Sequence, residues 1–445
     1  MTPGPTIAPA KSVPNSTELG QQFHAFIGEL YPICRSITGD GVRQTLRRIA
    51  EKIPLQIHEV PTGTPVFDWT VPREWNIRDA YVKNSRGDRV VDFQRSNLHV
   101  VNYSIPVRTK LPLRELRQHL YTLPNHPDWI PYRTSYYNES WGFCLSQHQL
   151  NSLGEEEYEV VIESSLADGH LTYGELLLPG EVSEEILIST HICHPSLCND
   201  NLSGIAVATY LAQALALQPR RYSHRFLFIP GTIGSITWLS RNEHVVPRIK
   251  HGLVLACVGD RGGLSYKKTR RGNAEIDRAA LHVLEHSGQP YNVRDFSPFG
   301  YDERQYCSPG FNLPVGCLNR TPHGKFVEYH TSGDNLEFVS PEALVDTFER
   351  CLEILRLLEH NHSYRNLHPK CEPQLGKRGL YHEVGGYPNA ESRELAMLWV
   401  LNLSDGQHSL LDIAERSGLK FDVIHRAAVD LKQHKLLAFH EQENC

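Results

Sequence analysis

The chain is 445 residues long, 40% hydrophobic and 22% charged, with a net charge of −6. That length exceeds what one compact core usually organises, so two or three domains are expected, and the composition is that of an ordinary globular protein. No apolar run approaches the ~20 residues of a membrane span, and no polybasic stretch points to nucleic acid or an anionic membrane.

The first 17 residues, rich in Pro, Ser and Thr and without an apolar signal core, read as a disordered lead-in to a cytoplasmic protein. The ten cysteines are scattered instead of forming a dense framework, which fits reduced thiols. Residues 18–51 carry a helical pattern with Phe23, Phe26, Ile27 and Leu30 on one face, followed by the strand-like "LQIHEV". From 62 to 169 short strand candidates such as "DAYVKN" and "YEVVIESS" are punctuated by Pro, Gly and Asn, predicting an inserted β-rich domain. From 170 to 372 strands and helices alternate: "EEILIST", "SGIAVATYLAQALAL", "RFLFIP", "SITWLSRN", "HGLVLACVGD", and on to the long closing helix "SPEALVDTFERCLEILRLLEH". Alternation of this kind predicts an α/β fold, a mostly parallel or mixed sheet covered by helices, with residues 18–61 completing it. Residues 373–445 carry three helical segments in the outline of a winged helix. From 377 onward Lys and Arg number 8 against 10 Asp and Glu, so packing or protein contact is expected of this unit and nucleic-acid binding is not.

The strand ends carry the chemistry. His191 and His194 follow "EEILIST", Asp200 opens the next helix in "NDNLSG", Asp260 follows "LVLACVG", and His330 lies in "EYHTSGDN". Singly, such a histidine reads as a satisfied polar group and such an aspartate as a helix cap. Together, at the carboxyl edges of strands in one sheet, they form the imidazole and carboxylate mixture that Zn²⁺ takes.

"ISTHICHPSLCNDNLSGIA", "FLFIPGTIGS", "CVGD", "GYDERQY" and "EYHTSGDN" together resemble the zinc aminopeptidase-like superfamily. More narrowly, with "VFDWTVPREWNIRDAYV" and "GKRGLY", the chain resembles its bacterial branch with an inserted β domain and a C-terminal winged helix, found near surface-polysaccharide or natural-product genes. The resemblance implies zinc as cofactor, Asp200 as bridging carboxylate, Asp260 as terminal ligand and His330 as the late histidine. Either His191 or His194 is the first ligand; His194 is taken as the ligand and His191 as facing the substrate. Cys193 and Cys198 are read as small buried residues, and Asp334 as orienting His330 or capping a turn.

One position departs from that pattern. The resemblance puts a glutamate, the proton acceptor, where this chain has Gly231. The substitute expected in its place is Glu303, with Asp302 beside it, or else Glu328, while Arg304 and Glu328 are expected to contact substrate. The resulting expectation is a zinc-dependent hydrolase of an aminoacyl or peptide-like amide in a small-molecule or short peptide-like substrate. An acyl-transfer enzyme and a non-catalytic binding protein are the alternatives, with a homodimer left open.

Overall fold

The computed structural model describes residues 15–380 and 390–440. Residues 1–14 of the expected lead-in lie outside them, whereas residues 16 and 17 belong to the first helix, Ser16–Leu30. Asn15 caps that helix: its side chain accepts from the Glu18 amide while the Glu18 carboxylate accepts from the Asn15 amide.

The central sheet has eight strands in the order 56–61, 170–178, 223–229, 185–191, 249–255, 315–319, 264–267, 291–294. Its middle four strands are parallel, and antiparallel pairs flank them. Successive side chains alternate between two cores. Ile186, Ile188, Phe226, Phe228, Leu253 and Leu255 join the core under the helices Ser16–Leu30, Ser203–Ala216 and Pro341–His360. Leu187, Leu227, Ile229 and Val254 face the other layer with Trp238 and Trp75. Burial on both faces explains why these strands read as continuous apolar runs.

Topology selects where the site sits. From Glu185–His191 the chain crosses through Ser203–Ala216 to Ser223–Ile229 on one side, then through Ile233–Arg241 to Ile249–Leu255 on the other. The two crossovers diverge at the carboxyl end of Glu185–His191, leaving a crevice at the switch point of the sheet.

The insertion builds its own four-stranded antiparallel sheet, ordered 89–92, 74–83, 157–167, 107–112, around Val82, Phe143, Tyr158 and Val160. Trp75 ties it to the main body, its ring packing in the second core and its backbone amide donating to the Thr38 hydroxyl at 3.0 Å. A loop of the insertion also reaches the crevice: the Tyr132 amide donates to the His330 carbonyl at 2.8 Å, and the Ser332 amide to that of Ile130 at 2.8 Å.

The C-terminal unit begins before the expected residue 373, because Ser363–Asn366 pairs with both Asp405–Ser409 and Leu437–Phe439. Its helix Phe421–Gln433 starts against the main body, with the Phe421 amide donating to Nε2 of His282 at 2.9 Å. Arg278 pairs with Asp412 and Glu415 across the same boundary. The nine cysteines among the described residues are all free, and no helix among those residues is long and apolar enough to cross a membrane.

Strand burial also has an acid-side consequence. His251, 4% exposed on Ile249–Leu255, has no partner at either ring nitrogen, and burial pushes its imidazole from 6.5 down to about 4. Between those values the unfolded chain binds a proton that the native chain does not. Stability is therefore intact above the unfolded value and falls as the pH drops, by roughly 2 kcal/mol at about pH 5 from this residue. Urea unfolding of the parent and of His251→Leu at about pH 7.5 and about pH 5 should show the parent losing roughly 2 kcal/mol more than the variant.

Candidate metal centre

The site grows from the loop that leaves Glu185–His191. His191 is the last residue of that strand, and the chain turns through Ser196, at φ 41°, into an irregular turn over Cys198–Leu202. Within that turn Asp200 has φ −84° and ψ 72°, and Asn201 has φ 127°. Thr232, Cys257 and His330 also have positive φ, at 64°, 52° and 56°. Each such non-glycine residue costs about 1–3 kcal/mol of local strain, which persists only where the surroundings over-determine it.

Those surroundings are visible. Asp334, fully buried, accepts from the Asn199 amide at 2.6 Å on one oxygen and from the Asp200 amide at 2.8 Å on the other. Arg35, also fully buried, donates from Nε to the His194 carbonyl at 2.8 Å, and the Asn201 amide group donates to the same carbonyl at 3.2 Å. Asp334 therefore shapes the Asp200 turn; it does not orient His330. Replacing it with Asn should cost about 1–3 kcal/mol, because the new amide group turns a donor against one of the two backbone N–H groups. Thermal unfolding of Asp334→Asn checks this.

Asp200 is the centre of the cluster. Its Oδ1 lies 3.1 Å from Nε2 of His191, and its Oδ2 lies 2.9 Å from Nε2 of His330. Ligand atoms of His191, His194 and Asp200 all fall within 4.8 Å of one another. The His194 ring centroid is 4.9 Å from that of His191 and 5.2 Å from that of His330. Asp200 is fully buried and His191 2% exposed, whereas the His330 side chain is 34% exposed and forms the open side. Burial alone would raise the Asp200 carboxyl, but His194, His191 and His330 together hold it well below its usual range. Burial drives the His194 imidazole well below 6.5, leaving it neutral as a metal ligand must be.

These residues fit a metal ion. His191 Nδ1 is buried without a hydrogen-bond partner, and Asp200 Oδ2 and His330 Nε2, though 2.9 Å apart, are buried and not aligned as a hydrogen bond, a costly arrangement unless a cation compensates it. With Zn–N and Zn–O bonds of ~2.0–2.2 Å, two ligands of one tetrahedral zinc stand ~3.3 Å apart, near the separations on both sides of Asp200.

The expected site residues divide. His194, Asp200 and His330 come together, and His191 joins them as a fourth member, not as a group set apart to face substrate. Asp260 departs from its expected part as a ligand. Its oxygens accept from the Gly262 amide, the Thr321 amide, the Thr321 hydroxyl and the Asn199 side chain, at 2.7, 3.0, 2.6 and 3.0 Å, which leaves it tying loops together. Glu303 departs from its expected part as a base: it is fully buried and paired with buried Lys267 at 2.7 Å. Asp302 accepts at Oδ1 from the Thr232 amide at 2.7 Å and the Ser235 hydroxyl at 2.8 Å, so it braces the turn beyond Gly231. Burial raises its carboxyl. Arg304 donates to the Thr232 hydroxyl at 3.1 Å, and Glu328 is half-buried on the loop before His330.

Three residues at the cluster are not singled out by the sequence pattern, although Cys257 lies within "CVGD" and Tyr301 within "GYDERQY". Tyr301 stacks on His191 at 5.1 Å and donates to Asp200 Oδ1 at 3.1 Å. Cys257 places Sγ 2.9 Å from the Tyr301 hydroxyl and 3.7 Å from Asp200 Oδ1. Tyr132, from the insertion, presents its ring edge-on to His194 and His330 at 5.2 and 5.1 Å, so the insertion roofs the cluster.

Known proteins agree with this architecture. A sequence family described as "Domain of unknown function (DUF4910)" matches residues 24–361, and one described as "winged helix-turn-helix" matches residues 362–439. A Clostridium acetobutylicum protein named for polysaccharide biosynthesis and an aminopeptidase-like domain is 55% identical over 427 residues, 96% of this chain and 98% of its own. A crystal structure from the same organism, under a provisional peptidase name, has a TM-score of 0.92 at 54% identity, covering 96% of this chain and 97% of its own. The zinc aminopeptidase BSAP of Bacillus subtilis has a TM-score of 0.55 at 13% identity, covering 75% of this chain and 93% of its own, a likeness of fold. The mixed eight-stranded sheet is thus that of the zinc aminopeptidases, and the chain, matched over residues 24–361, belongs to the DUF4910 family with a winged helix at its C-terminus.

Proposed function

We propose that the protein is a zinc-dependent hydrolase of an aminoacyl or peptide-like amide, acting on a small substrate in a surface-polysaccharide or natural-product pathway. One observation carries this reading: buried Asp200 turns each of its two oxygens toward a different histidine, at the switch point of an aminopeptidase-like sheet. The name of the Clostridium acetobutylicum relative supports the pathway. Zinc in such a set supplies Lewis-acid polarisation of a scissile carbonyl and acidification of water. The chain's own residues do the rest. His191, His194, Asp200 and His330 would hold the ion, Asp334 and Arg35 fix the loop that carries them, and Tyr132 limits water from the insertion side. Substrate enters beside His330, the exposed member of the cluster.

Gly231 favours a second reading, a protein that binds a ligand at this centre without hydrolysing it, because the strand end that should bear a proton acceptor bears none. Stoichiometric zinc after metal-replete purification, with turnover on a panel of aminoacyl amides, supports hydrolysis. Zinc without turnover favours the binding reading, and absence of zinc overturns both. The winged helix belongs to this body as a packing unit, since the start of its third helix, Phe421–Gln433, the second of the helix-turn-helix pair and the one whose N-terminus meets base edges in such modules, is docked on His282.

A further inference from the structure

Cys257 stands two residues beyond Ile249–Leu255, at the same sheet edge as His191 and Gly231. It is fully buried, yet its sulfur faces polar groups, Asp200 Oδ1 at 3.7 Å and the Tyr301 hydroxyl at 2.9 Å. A cysteine serving only as a small apolar residue has no reason to be turned toward a carboxylate. The turn that aims it is strained, at φ 52°, and is held from three sides. The Cys257 carbonyl accepts from the Arg320 amide at 2.7 Å, the Val258 amide donates to Ser203 Oγ at 3.0 Å, and the Gly259 amide donates to Asn199 Oδ1 at 2.8 Å. Two of these anchors, Asn199 and Ser203, sit on the same turn and helix start as Asp200, so the sulfur and the carboxylate are positioned as one unit.

On the expectation that zinc binds here, we infer that Cys257 supplies a thiolate ligand on the Oδ1 side of Asp200, beside His191. It takes the part expected of Asp260, whose oxygens are already engaged by four donors. Asp200 Oδ2, buried and 2.9 Å from His330 Nε2 without an aligned hydrogen bond, independently marks this cluster as a cation site. On binding, the thiol proton leaves to solvent and the sulfur lone pair forms the metal bond. Tyr301 can then donate its hydroxyl proton to the sulfur in place of Asp200. A soft sulfur donor beside imidazole and carboxylate suits zinc and disfavours magnesium or calcium.

The test is cobalt substitution of the full-length reduced protein. Bound Co²⁺ should give a near-ultraviolet thiolate-to-cobalt charge-transfer band in the parent and in Cys193→Ser, and no such band in Cys257→Ser. Cys257→Asp should bind cobalt without the band, which keeps the test valid if the serine variant folds poorly. Chelator competition should show zinc affinity falling ~10-fold or more in Cys257→Ser. Stoichiometric cobalt without the band in the parent, or a band that survives in Cys257→Ser, overturns the thiolate assignment and leaves the metal site standing. A parent that binds no cobalt overturns both.

Discussion

Gly231→Glu is expected to raise turnover on aminoacyl amides by ~10²–10⁴-fold, the usual contribution of a positioned general base. The site has room for it. A Cβ at position 231 would stand 3.4 Å from Cys193 Sγ and 3.6 Å from His191 Cβ, ordinary van der Waals contact, and the backbone there is outside the left-handed region that favours glycine. The turn itself is already fixed. Asp302 holds the Thr232 amide and the Ser235 hydroxyl, and the Gly231 amide donates to Cys193 Sγ at 3.3 Å. A side chain at 231 therefore leaves a braced strand end beside His191, and its first carbon fits there without displacing a neighbour. Gly231→Gln is the control, since it fills the same space without accepting a proton at neutral pH. A gain with Glu and none with Gln, measured as kcat/KM at equal metal content, identifies proton transfer as the missing element. Equal behaviour of the two means that the acceptor lies elsewhere or that the substrate belongs to another class.

The part of this site legible in the sequence is the part fixed by strand ends. Continuous apolar runs ending in His191 and Ile229 announce the parallel strands, and a sheet of that kind gathers the residues just beyond its carboxyl edges, so Asp200 and His330 are readable from the chain alone. The direction a side chain takes once its strand has ended is not. Cys257 and Asp260 leave the same strand three positions apart; the left-handed turn at Cys257 sends the sulfur toward Asp200, while Asp260 turns to Thr321. Glu303 reads as a free acid because its partner, Lys267, lies 36 residues earlier and meets it only when strand and helix pack. His191 reads as separate from the ligands for a similar reason. Its spacing from His194 says nothing about which ring turns toward Asp200. Tyr132 belongs to the insertion, whose fold over the cluster depends on the pairing of Pro131 with Thr331, a long-range contact that leaves no local pattern.

Asp200→Asn is expected to abolish metal binding, with affinity falling by more than ~100-fold, beyond the loss usual for groups that only support a ligand. The substitution preserves shape but removes the charge that offsets a divalent cation. It also leaves one acceptor where two are used, because one oxygen faces His191 and the other His330. Either way the amide is placed, its NH₂ group points at an imidazole nitrogen or the Tyr301 hydroxyl that a ligand oxygen should meet. The effect on folding has the same sign as the effect on binding. In the metal-free chain, despite burial, the three imidazoles hold the Asp200 carboxyl well below its usual range, so its charge is favoured in the folded state and the neutral amide should lower stability without metal as well. Zinc at about 100 times its dissociation constant stabilises a protein that binds it only when folded by about 2.7 kcal/mol. Thermal unfolding with and without zinc should therefore show a metal-dependent rise in the parent and none in Asp200→Asn, with the metal-free variant unfolding below the metal-free parent. A variant that kept the zinc-dependent rise would move the metal away from Asp200 and remove the bridging role from this carboxylate.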